Sequence, residues 1–370
     1  MHISTRGCPR RSATISVSNA EMAKIAGRGV FSIIMKQRCG ALLFRYLLLF
    51  TVSSALTVLG TSCAFVASIP SPSTRPSTKS KASPGVDGAV PNFSHVFVIA
   101  MENKEYGNII GSPSAPYINR LARTYASATQ YYAVTHPSLP NYLALISGST
   151  QGMTTDCANC AFNAPNLVDQ LEAAHKTWTA YAEDLPRACF NGTSAENPLA
   201  GIPFASALGG GYVRRHNPFM YFNDISQNPN RCQHVVPLSR FANDMRSNNL
   251  SNFVWITPNL RHDMHNGTIE DGDAWLASFV PAILKSADWK HGGVLFIVWD
   301  EGTTNAGCCG NARGGRVPAL VIAADGKRHY QSNIPYTHYS VLRTIEDSWH
   351  LPHLGHAGDP STSNFSNFFP

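Results

Sequence analysis

The apolar run at residues 294–299 ends in two adjacent acids, Asp300 and Glu301, which Gly302 follows. A continuous apolar run is typical of a parallel strand that is buried on both faces. Open α/β sheets bind ligands at the carboxyl ends of such strands. Two neighbouring carboxylates repel each other unless a positive charge lies beside them, and a divalent cation supplies that charge. The pair therefore predicts a metal site, with an acidic turn at Gly302 as the alternative.

A second apolar run, at residues 96–101, has the same form and ends in Glu102 and Asn103. Both side chains offer oxygen atoms, which suit hard or borderline metal ions. Two such strand ends in one chain favour a metal site over two unrelated turns.

A hydroxyl lies in the loop at residues 135–142, where Ser138 stands between Pro137 and Pro140 just before a predicted helix. The prolines restrict the backbone, and a helix N-terminus favours a nearby anion. If a metal ion lowers the pKa of its hydroxyl, Ser138 is placed to attack phosphorus, and Asn141 would then donate to a phosphoryl oxygen. The alternative is a proline-rich turn in which Ser138 serves as the helix N-cap.

Histidines form a third group of candidates. Asp263 and His265 follow the predicted strand at 252–257, Arg215 and His216 lie in a basic segment that could bind an anion, and His338 precedes a helix. These side chains would act as phosphate or metal ligands. The alternatives are an ordinary surface loop, a solvated turn and a helix cap.

Strands alternate with helices along the chain. The hydrophobic periodicity predicts strands at 96–101, 178–181, 252–257, 294–299 and 317–323, and helices at 117–125, 142–146, 167–174, 238–246, 273–286 and 339–345. This alternation predicts an α/β fold with a mostly parallel central sheet and helices on both faces.

The first quarter of the chain differs in composition from the rest. Residues 1–67 contain a charged segment followed by a long apolar run, which predicts a leader that is a signal peptide or a signal anchor. Residues 68–91 are rich in Ser, Pro, Thr and Lys and predict a disordered linker. The catalytic domain should then occupy residues 92–370. Residues 1–84 carry 11 of the 29 Lys and Arg residues and one of the 23 acids, so the basic pI does not indicate nucleic-acid binding by the domain.

Cysteine content bears on the compartment. The predicted domain contains an even set of six, namely Cys157, Cys160, Cys189, Cys232, Cys308 and Cys309. Behind an export signal, this set predicts up to three disulfides of undetermined pairing. A thiolate zinc site is the alternative, because Cys157 and Cys160 have C-x-x-C spacing. We expect an exported protein, either secreted or anchored in the cell envelope through its leader.

Together these segments resemble the bacterial and fungal acid phosphatase and phospholipase C type phosphoesterase family, within the alkaline phosphatase superfamily. The resemblance covers about residues 93–350. The matching segments, in the family's order, are Met101-Glu102-Asn103, Thr135-His136-Pro137-Ser138-Leu139-Pro140-Asn141-Tyr142, Arg215-His216-Asn217-Pro218, Pro258-Asn259 through His265, Trp299-Asp300-Glu301-Gly302 and His338-Tyr339-Ser340. The resemblance implies an alkaline-phosphatase-like fold.

The resemblance also implies roles for individual residues. Ser138 would be the nucleophile, and His216 and His265 would bind phosphate oxygens or act as the general acid. The implied ligands of a divalent metal ion are Glu102, Asn103, Ser138, Asp300 and Glu301. Asp263 and His338 are further matches of less defined role. An Asn stands in place of one acid of the wider superfamily's metal set, which favours a single ion.

The resulting hypothesis is a secreted, metal-dependent phosphomonoesterase of the acid phosphatase kind that acts on a small phosphate ester through a phosphoserine. One alternative is a phospholipase C or other phosphodiesterase with the same site. A second is an inactive, surface-anchored binding protein. The sequence does not determine the oligomeric state.

Overall fold

The computed structural model describes residues 89–195 and 211–370. The predicted leader, 1–67, and residues 68–88 of the predicted linker lie outside the described residues. Within the described ranges, no helix has the length and hydrophobicity needed to cross a membrane.

A mostly parallel sheet forms the centre of the fold. In chain order the strands of the described residues are β1 (Val96–Met101), β2 (Ala126–Ala128), β3 (Tyr131–Tyr132), β4 (Trp178–Ala182), β5 (Ser194–Ala195), β6 (Tyr212–Val213), β7 (Val235–Pro237), β8 (Phe253–Thr257), β9 (Val294–Trp299), β10 (Ala319–Ala323), β11 (Tyr330–Ser332) and β12 (Tyr336–Thr337). Eight of them form the central sheet in the order β11-β2-β10-β9-β1-β8-β4-β7. The predicted α/β fold class is confirmed.

Strand β1 lies in the middle of this sheet and pairs in parallel with both β8 and β9. Every residue of β1 and β9 is buried, as their continuous apolar runs predict. Because the three strands are parallel, their carboxyl ends open onto the same edge of the sheet. Strand β10 is antiparallel to both of its neighbours, a direction that hydrophobic periodicity does not encode.

Helices connect the strands. In chain order they are α1 (Tyr106–Ile109), α2 (Pro116–Thr124), α3 (Ser138–Ser147), α4 (Leu167–Ala173), α5 (Asn223–Ser226), α6 (Pro229–Cys232), α7 (Phe241–Arg246), α8 (Ile269–Lys285), α9 (Ala287–Lys290) and α10 (His338–Ser348). Helix α8 begins four residues before its predicted start because Thr268 and Asp271 form a capping box.

Helix α3 also begins earlier than predicted, at Ser138 in place of Tyr142. Pro140 fits because proline is tolerated in the first turn of a helix, where a backbone N–H has no intrahelical acceptor. Gly148 ends the helix with a φ of 67°, and a side chain there would collide with the backbone of Leu354. As a result Ser138 is the first residue of the helix and not its N-cap.

The cysteines form two of the predicted up to three disulfides. Cys157 pairs with Cys160 and Cys189 pairs with Cys232, whereas Cys308 and Cys309 are free thiols. The domain therefore has two disulfides and not three. Adjacent residues have Cα atoms about 3.8 Å apart, which is closer than the usual separation in a disulfide. The two pairs that form also leave no other partner for Cys308 or Cys309 among the described residues.

Candidate active site

The candidate site lies at the carboxyl ends of β1, β8 and β9. Glu102 follows β1 and Asp300 follows β9, while the loop after β8 contributes Asp263 and His265. Helix α3 points its N-terminus at the same place and contributes the nucleophile candidate.

Ser138 is buried between two acids. Its Oγ lies 3.1 Å from Oε2 of Glu102 and 3.2 Å from Oε1 of Glu301, and the residue is 2% exposed. A hydroxyl has one proton, so it donates to one of these carboxylates while the other remains near the same oxygen. The arrangement offers the Ser138 proton two acceptors.

Glu102 is fully buried and connects several groups. Its Oε1 accepts a hydrogen bond from the Tyr142 hydroxyl at 2.7 Å and lies 3.2 Å from Nε2 of His216. Burial, followed by the charges of Asp300 and Asp263, raises its pKa well above the usual range. A cation beside Glu102 would stabilise its ionised form.

His216 is held in one orientation by Asp263. Nδ1 of His216 lies 3.1 Å from Oδ2 of Asp263, so Nδ1 carries the donated proton and Nε2 presents a lone pair. Burial lowers the pKa of His216 well below its usual value, which keeps the imidazole neutral. Asp263 also accepts the backbone N–H of His265 at 2.7 Å, and therefore positions both histidines.

His265 lies nearer the surface than His216. Its Nδ1 lies 2.7 Å from Oδ1 of Asn266, and its Nε2 lies 3.3 Å from Nη2 of Arg215. Since a guanidinium only donates, Nε2 accepts that contact and Nδ1 bears the proton. Burial lowers the pKa of His265 as well.

Asp300 and Glu301 follow β9, as predicted, but they face different partners. Oδ1 of Asp300 accepts the backbone N–H of Asn103 at 3.1 Å, whereas Oδ2 is buried without a hydrogen-bond partner in the described residues. Burial, and next the charge of Glu301, raises the pKa of Asp300 to about 7. Glu301 pairs with Nδ1 of His136, whose Nε2 donates to the carbonyl of Thr304 at 2.9 Å.

Both nitrogens of His136 face acceptors, an arrangement that favours the protonated imidazole. Burial lowers its pKa, but hydrogen bonds to Thr304 and Glu301 outweigh burial and raise the pKa above the usual value. Burial also raises the pKa of Glu301, and the contact with His136 opposes that effect.

The donor set fits a divalent cation. In the described ranges, no Lys or Arg forms an ion pair with Glu102, Asp263 or Asp300, although all three are fully buried. Unpaired buried carboxylates are costly unless a proton or a cation neutralises them. Oδ2 of Asp300 and Nε2 of His216 are moreover buried without hydrogen bonds.

Two overlapping groups of candidate metal ligands both include Glu102. The predicted set of Glu102, Asn103, Ser138, Asp300 and Glu301 converges through the contacts above, with Asn103 reaching Asp300 through its backbone. A second group consists of Glu102, His216 and His265, whose ligand atoms all lie within 4.8 Å of one another. The resemblance assigned His216 and His265 to phosphate oxygens or the general acid, so it did not place them with Glu102 in one group of ligand atoms.

Two predicted site residues have structural roles. Asn141 is buried, accepts the N–H groups of Val134 and Thr135, and donates to the carbonyls of Thr135 and Pro137. Both of its amide hydrogens are used within the loop at residues 135–142, and a contact of Asn141 with a phosphoryl oxygen stays a prediction.

Both ring nitrogens of His338 are likewise hydrogen-bonded. Its Nε2 donates to the Asp300 carbonyl at 2.6 Å, and its Nδ1 accepts from the Tyr131 hydroxyl at 2.7 Å. Burial lowers its pKa to about 4. His338 therefore holds the backbone of Asp300, and a role for it as a ligand stays a prediction.

Four residues at the site were missed as candidates, namely His136, Tyr142, Asp156 and Lys104. His136 and Tyr142 belong to the same segment as Ser138, so their proximity to the nucleophile was available in the sequence. Lys104 donates to the carbonyl of Met264 at 2.7 Å, and nothing in its local sequence signals that contact.

Comparison with known proteins gives consistent results. The model of the Phosphoesterase family matches residues 112–352. The phosphatidylinositol-3-phosphatase of Mycobacterium tuberculosis is 35% identical over 73% of this chain and 81% of its own length. The probable acid phosphatase of Kluyveromyces lactis is 32% identical over 74% of this chain, which spans 62% of that relative. The structure of a phosphonate monoester hydrolase from Silicibacter pomeroyi superposes with a TM-score of 0.50 at 10% identity, covering 75% of this chain and 77% of that one, which shows a shared fold.

Proposed function

Because this chain belongs to the phosphoesterase family and is a hydrolase of phosphate esters, we propose that it is an exported, metal-dependent phosphomonoesterase that acts through a phosphoserine at Ser138. The observation that carries the proposal is the position of the Ser138 hydroxyl. It lies at the N-terminus of α3, between the carboxylates of Glu102 and Glu301, and Glu102 in turn contacts His216.

The proposed cation ligands are Glu102, Asn103, Ser138, Asp300 and Glu301. A single divalent ion bound there would polarise a phosphoryl oxygen and lower the pKa of the serine hydroxyl. With this set of cation ligands, His216 and His265 would face the remaining phosphoryl oxygens.

The reaction then begins with Ser138. Its proton passes to a neighbouring carboxylate, Glu301 or Glu102, and its Oγ attacks phosphorus in line with the ester oxygen. The Oγ–P bond forms as the bond between phosphorus and the ester oxygen breaks. Positioning and charge stabilisation supply most of the rate in this kind of transfer.

His265 is suited to protonate the leaving oxygen. It lies closer to solvent than His216, and its Nε2 accepts only the long contact from Arg215. Since burial lowers its pKa, the protonated form that donates this hydrogen requires acidic solution. Water then attacks the phosphoserine, releases phosphate and restores the Ser138 hydroxyl.

The names of the two relatives support a monoesterase over a diesterase, since both relatives are called phosphatases. Export is supported by the two disulfides, which persist in oxidising compartments. We propose a small phosphate ester as the substrate and assign no nucleic-acid partner. An anchor through the leader stays a prediction.

The test is an activity screen combined with trapping. Wild-type enzyme should hydrolyse phosphomonoesters faster than diesters and lose activity with a chelator. Rapid acid quench with a labelled monoester should place phosphate on the peptide that contains Ser138, and Ser138→Ala should lower turnover by about 10³-fold or more. The matched control is Ser278→Ala, a serine on α8 whose hydroxyl donates to the carbonyl of Trp275.

Label on a different residue would identify that residue as the nucleophile. Full activity of Ser138→Ala, or a strong preference for diesters, would refute the proposal.

A further inference from the structure

Lys104 and His265 are joined through one buried turn. The turn carries Asp263, which orients His216, and also His265, the proposed general acid. Between the two lies Met264, which is fully buried and has a φ of 80°. A left-handed backbone is costly for a side chain as long as methionine, and it persists only where the surrounding structure imposes it. The groups that impose it therefore also set the positions of Asp263 and His265.

The segment that follows β1 holds two successive carbonyls of this turn. The backbone N–H of Glu102 donates to the carbonyl of Asp263 at 2.8 Å. Nζ of Lys104 donates to the next carbonyl, that of Met264, at 2.7 Å. The donor of this second hydrogen bond is charged, which makes the bond a strong one. It fixes the peptide group that joins Met264 to His265, and so the backbone from which the imidazole projects.

Helix α8 holds the side chain of Met264. A Cβ atom at Gly272 of this helix would lie 2.5 Å from Cγ and 2.4 Å from Cε of Met264. Since a side chain at position 272 would have to displace Met264, the helix and the methionine are in close contact. The turn is therefore held at its carbonyls by the strand end and at its side chain by the helix.

The ammonium group of Lys104 is used on a carbonyl and not on an acid. In the described ranges it forms no ion pair with Glu102, Asp263 or Asp300. A lysine that served to neutralise these buried carboxylates would pair with one of them, whereas Lys104 bonds the backbone. Its contact points to control of the shape of the turn.

We propose that Lys104 is a positioning residue for His265, and that its hydrogen bond to the Met264 carbonyl keeps the His265 imidazole aimed at the leaving oxygen. The inference rests on the proposed function, in which His265 protonates that oxygen. Lys104 itself transfers no proton and binds no ligand in this scheme.

The role of Lys104 has a specific kinetic consequence. An alkyl ester departs as a strongly basic alkoxide that needs a proton as its bond to phosphorus breaks, whereas a nitrophenyl ester departs as a weakly basic phenolate that does not. Loss of the Lys104 contact should therefore slow alkyl monoesters selectively. A lysine that acted through its charge on the cation or on the phosphoryl group would slow both esters alike, since they share the phosphoryl group.

Four single variants of the full enzyme test the inference. Lys104→Met removes the hydrogen bond, Lys104→Arg keeps a charged donor, and His265→Gln removes the general acid. Lys327→Met is the matched control, because Nζ of Lys327 also donates to a backbone carbonyl, that of Asn367, at 2.9 Å and beside the edge strand β11. Lys104→Met is also combined with His265→Gln. The measurements are kcat/KM for glycerol phosphate and for para-nitrophenyl phosphate, the bound metal and the melting temperature.

We expect Lys104→Met to lower kcat/KM for glycerol phosphate by about 10- to 100-fold, the range for a misplaced catalytic group. The value for para-nitrophenyl phosphate and the bound metal should stay near those of the wild type. Lys104→Arg should recover part of the loss, and it keeps the comparison available if Lys104→Met does not fold. Added to His265→Gln, Lys104→Met should have little further effect, because two changes that disable one device are not additive. Lys327→Met should match the wild type with both esters.

A readout that does not need catalysis is the nitrogen NMR shift of the His265 imidazole at a fixed pH, which reports the partners of the ring. This shift should differ between the wild type and Lys104→Met and stay the same in Lys327→Met.

Equal losses for the two esters in Lys104→Met, a loss that multiplies with that of His265→Gln, or an unchanged imidazole shift would each overturn the positioning role. A wild-type enzyme that hydrolyses no phosphomonoester would instead refute the proposed function, and the imidazole shift would still show whether Lys104 positions His265.

Discussion

Nε2 of His216 lies 3.2 Å from Oε1 of Glu102, and both side chains are buried. Because Asp263 takes the proton on Nδ1, the nitrogen that faces Glu102 presents a lone pair to a carboxylate. Two lone pairs at this distance repel unless a proton or a cation lies beside them. This relationship, together with the unpartnered Oδ2 of Asp300, is the strongest structural argument for a bound cation.

The first prediction concerns the metal. Glu102→Ala and Asp300→Ala should each remove bound metal and activity while the fold persists, because each change deletes a charged ligand and also lowers repulsion among the remaining acids. Elemental analysis and circular dichroism of purified protein check this. Asp325→Asn, at an exposed acid outside the site, is the control. Stoichiometric metal with near wild-type turnover in either alanine variant would show that the ligand set is wrong.

The second prediction concerns thiols. A chain that begins at Pro91 should show two reactive thiols in denaturant without reductant and six after reduction. The two are Cys308 and Cys309, which are adjacent. Thiol titration gives both numbers, and substituting Cys308 and Cys309 by Ser should abolish the signal before reduction. No reactive thiol at all would indicate a third disulfide, and four or more would contradict the pairs described above.

The third prediction concerns pH and stability away from the site. Burial raises the pKa of Glu346 to about 8, while the N–H of Leu354, 2.8 Å from its Oε1, opposes the shift. The folded state therefore holds a proton that the unfolded chain releases above about pH 4.3. This contribution to stability is complete below that pH and is lost as the pH rises to about 8.

Glu346→Gln mimics the protonated carboxyl at nearly the same size. Between pH 5 and pH 8 the free energy of unfolding should decrease less in this variant than in the wild type. The difference should be a few kcal/mol at most, since one pKa unit corresponds to about 1.4 kcal/mol. Urea unfolding at both pH values measures the difference, with Asp325→Asn as the control. A variant as pH-dependent as the wild type would assign the effect to other groups.

The fourth prediction concerns the domain boundary. Phe93 is 3% exposed, packs on Phe369 with ring centres 5.1 Å apart, and receives a hydrogen bond from Nε1 of Trp349 on its carbonyl. Removing residues 1–88 should leave stability unchanged. Removing residues 1–94 should cost about 2–3 kcal/mol, the value for burying one large apolar side chain. Chemical unfolding of the two truncated chains, with Phe93→Ala in the longer one, provides the comparison. Equal stability of the two truncated chains would place the domain boundary after residue 94.

The sequence by itself determined the sheet and the principal acids. The apolar runs at β1 and β9 are long enough to identify buried strands, and parallel strands bring their carboxyl ends to one edge. Glu102 and Asp300 follow from that rule alone. Ser138 was singled out by two prolines and a helix start, and its Oγ lies between the carboxylates of Glu102 and Glu301.

Only the tertiary structure decided which neighbours each polar side chain meets. Arg214 and Arg215 are adjacent and chemically identical, yet the guanidinium of Arg214 donates to three carbonyls and that of Arg215 lies beside His265 and Asp156. Asn141 occupies a motif position but bonds backbone groups, and His338 bonds the Asp300 carbonyl and the Tyr131 hydroxyl. Local sequence sets the span of a strand or the start of a helix, because both depend on nearby residues. The hydrogen-bond partner of a buried side chain belongs to a distant segment, so it is fixed only when the chain packs.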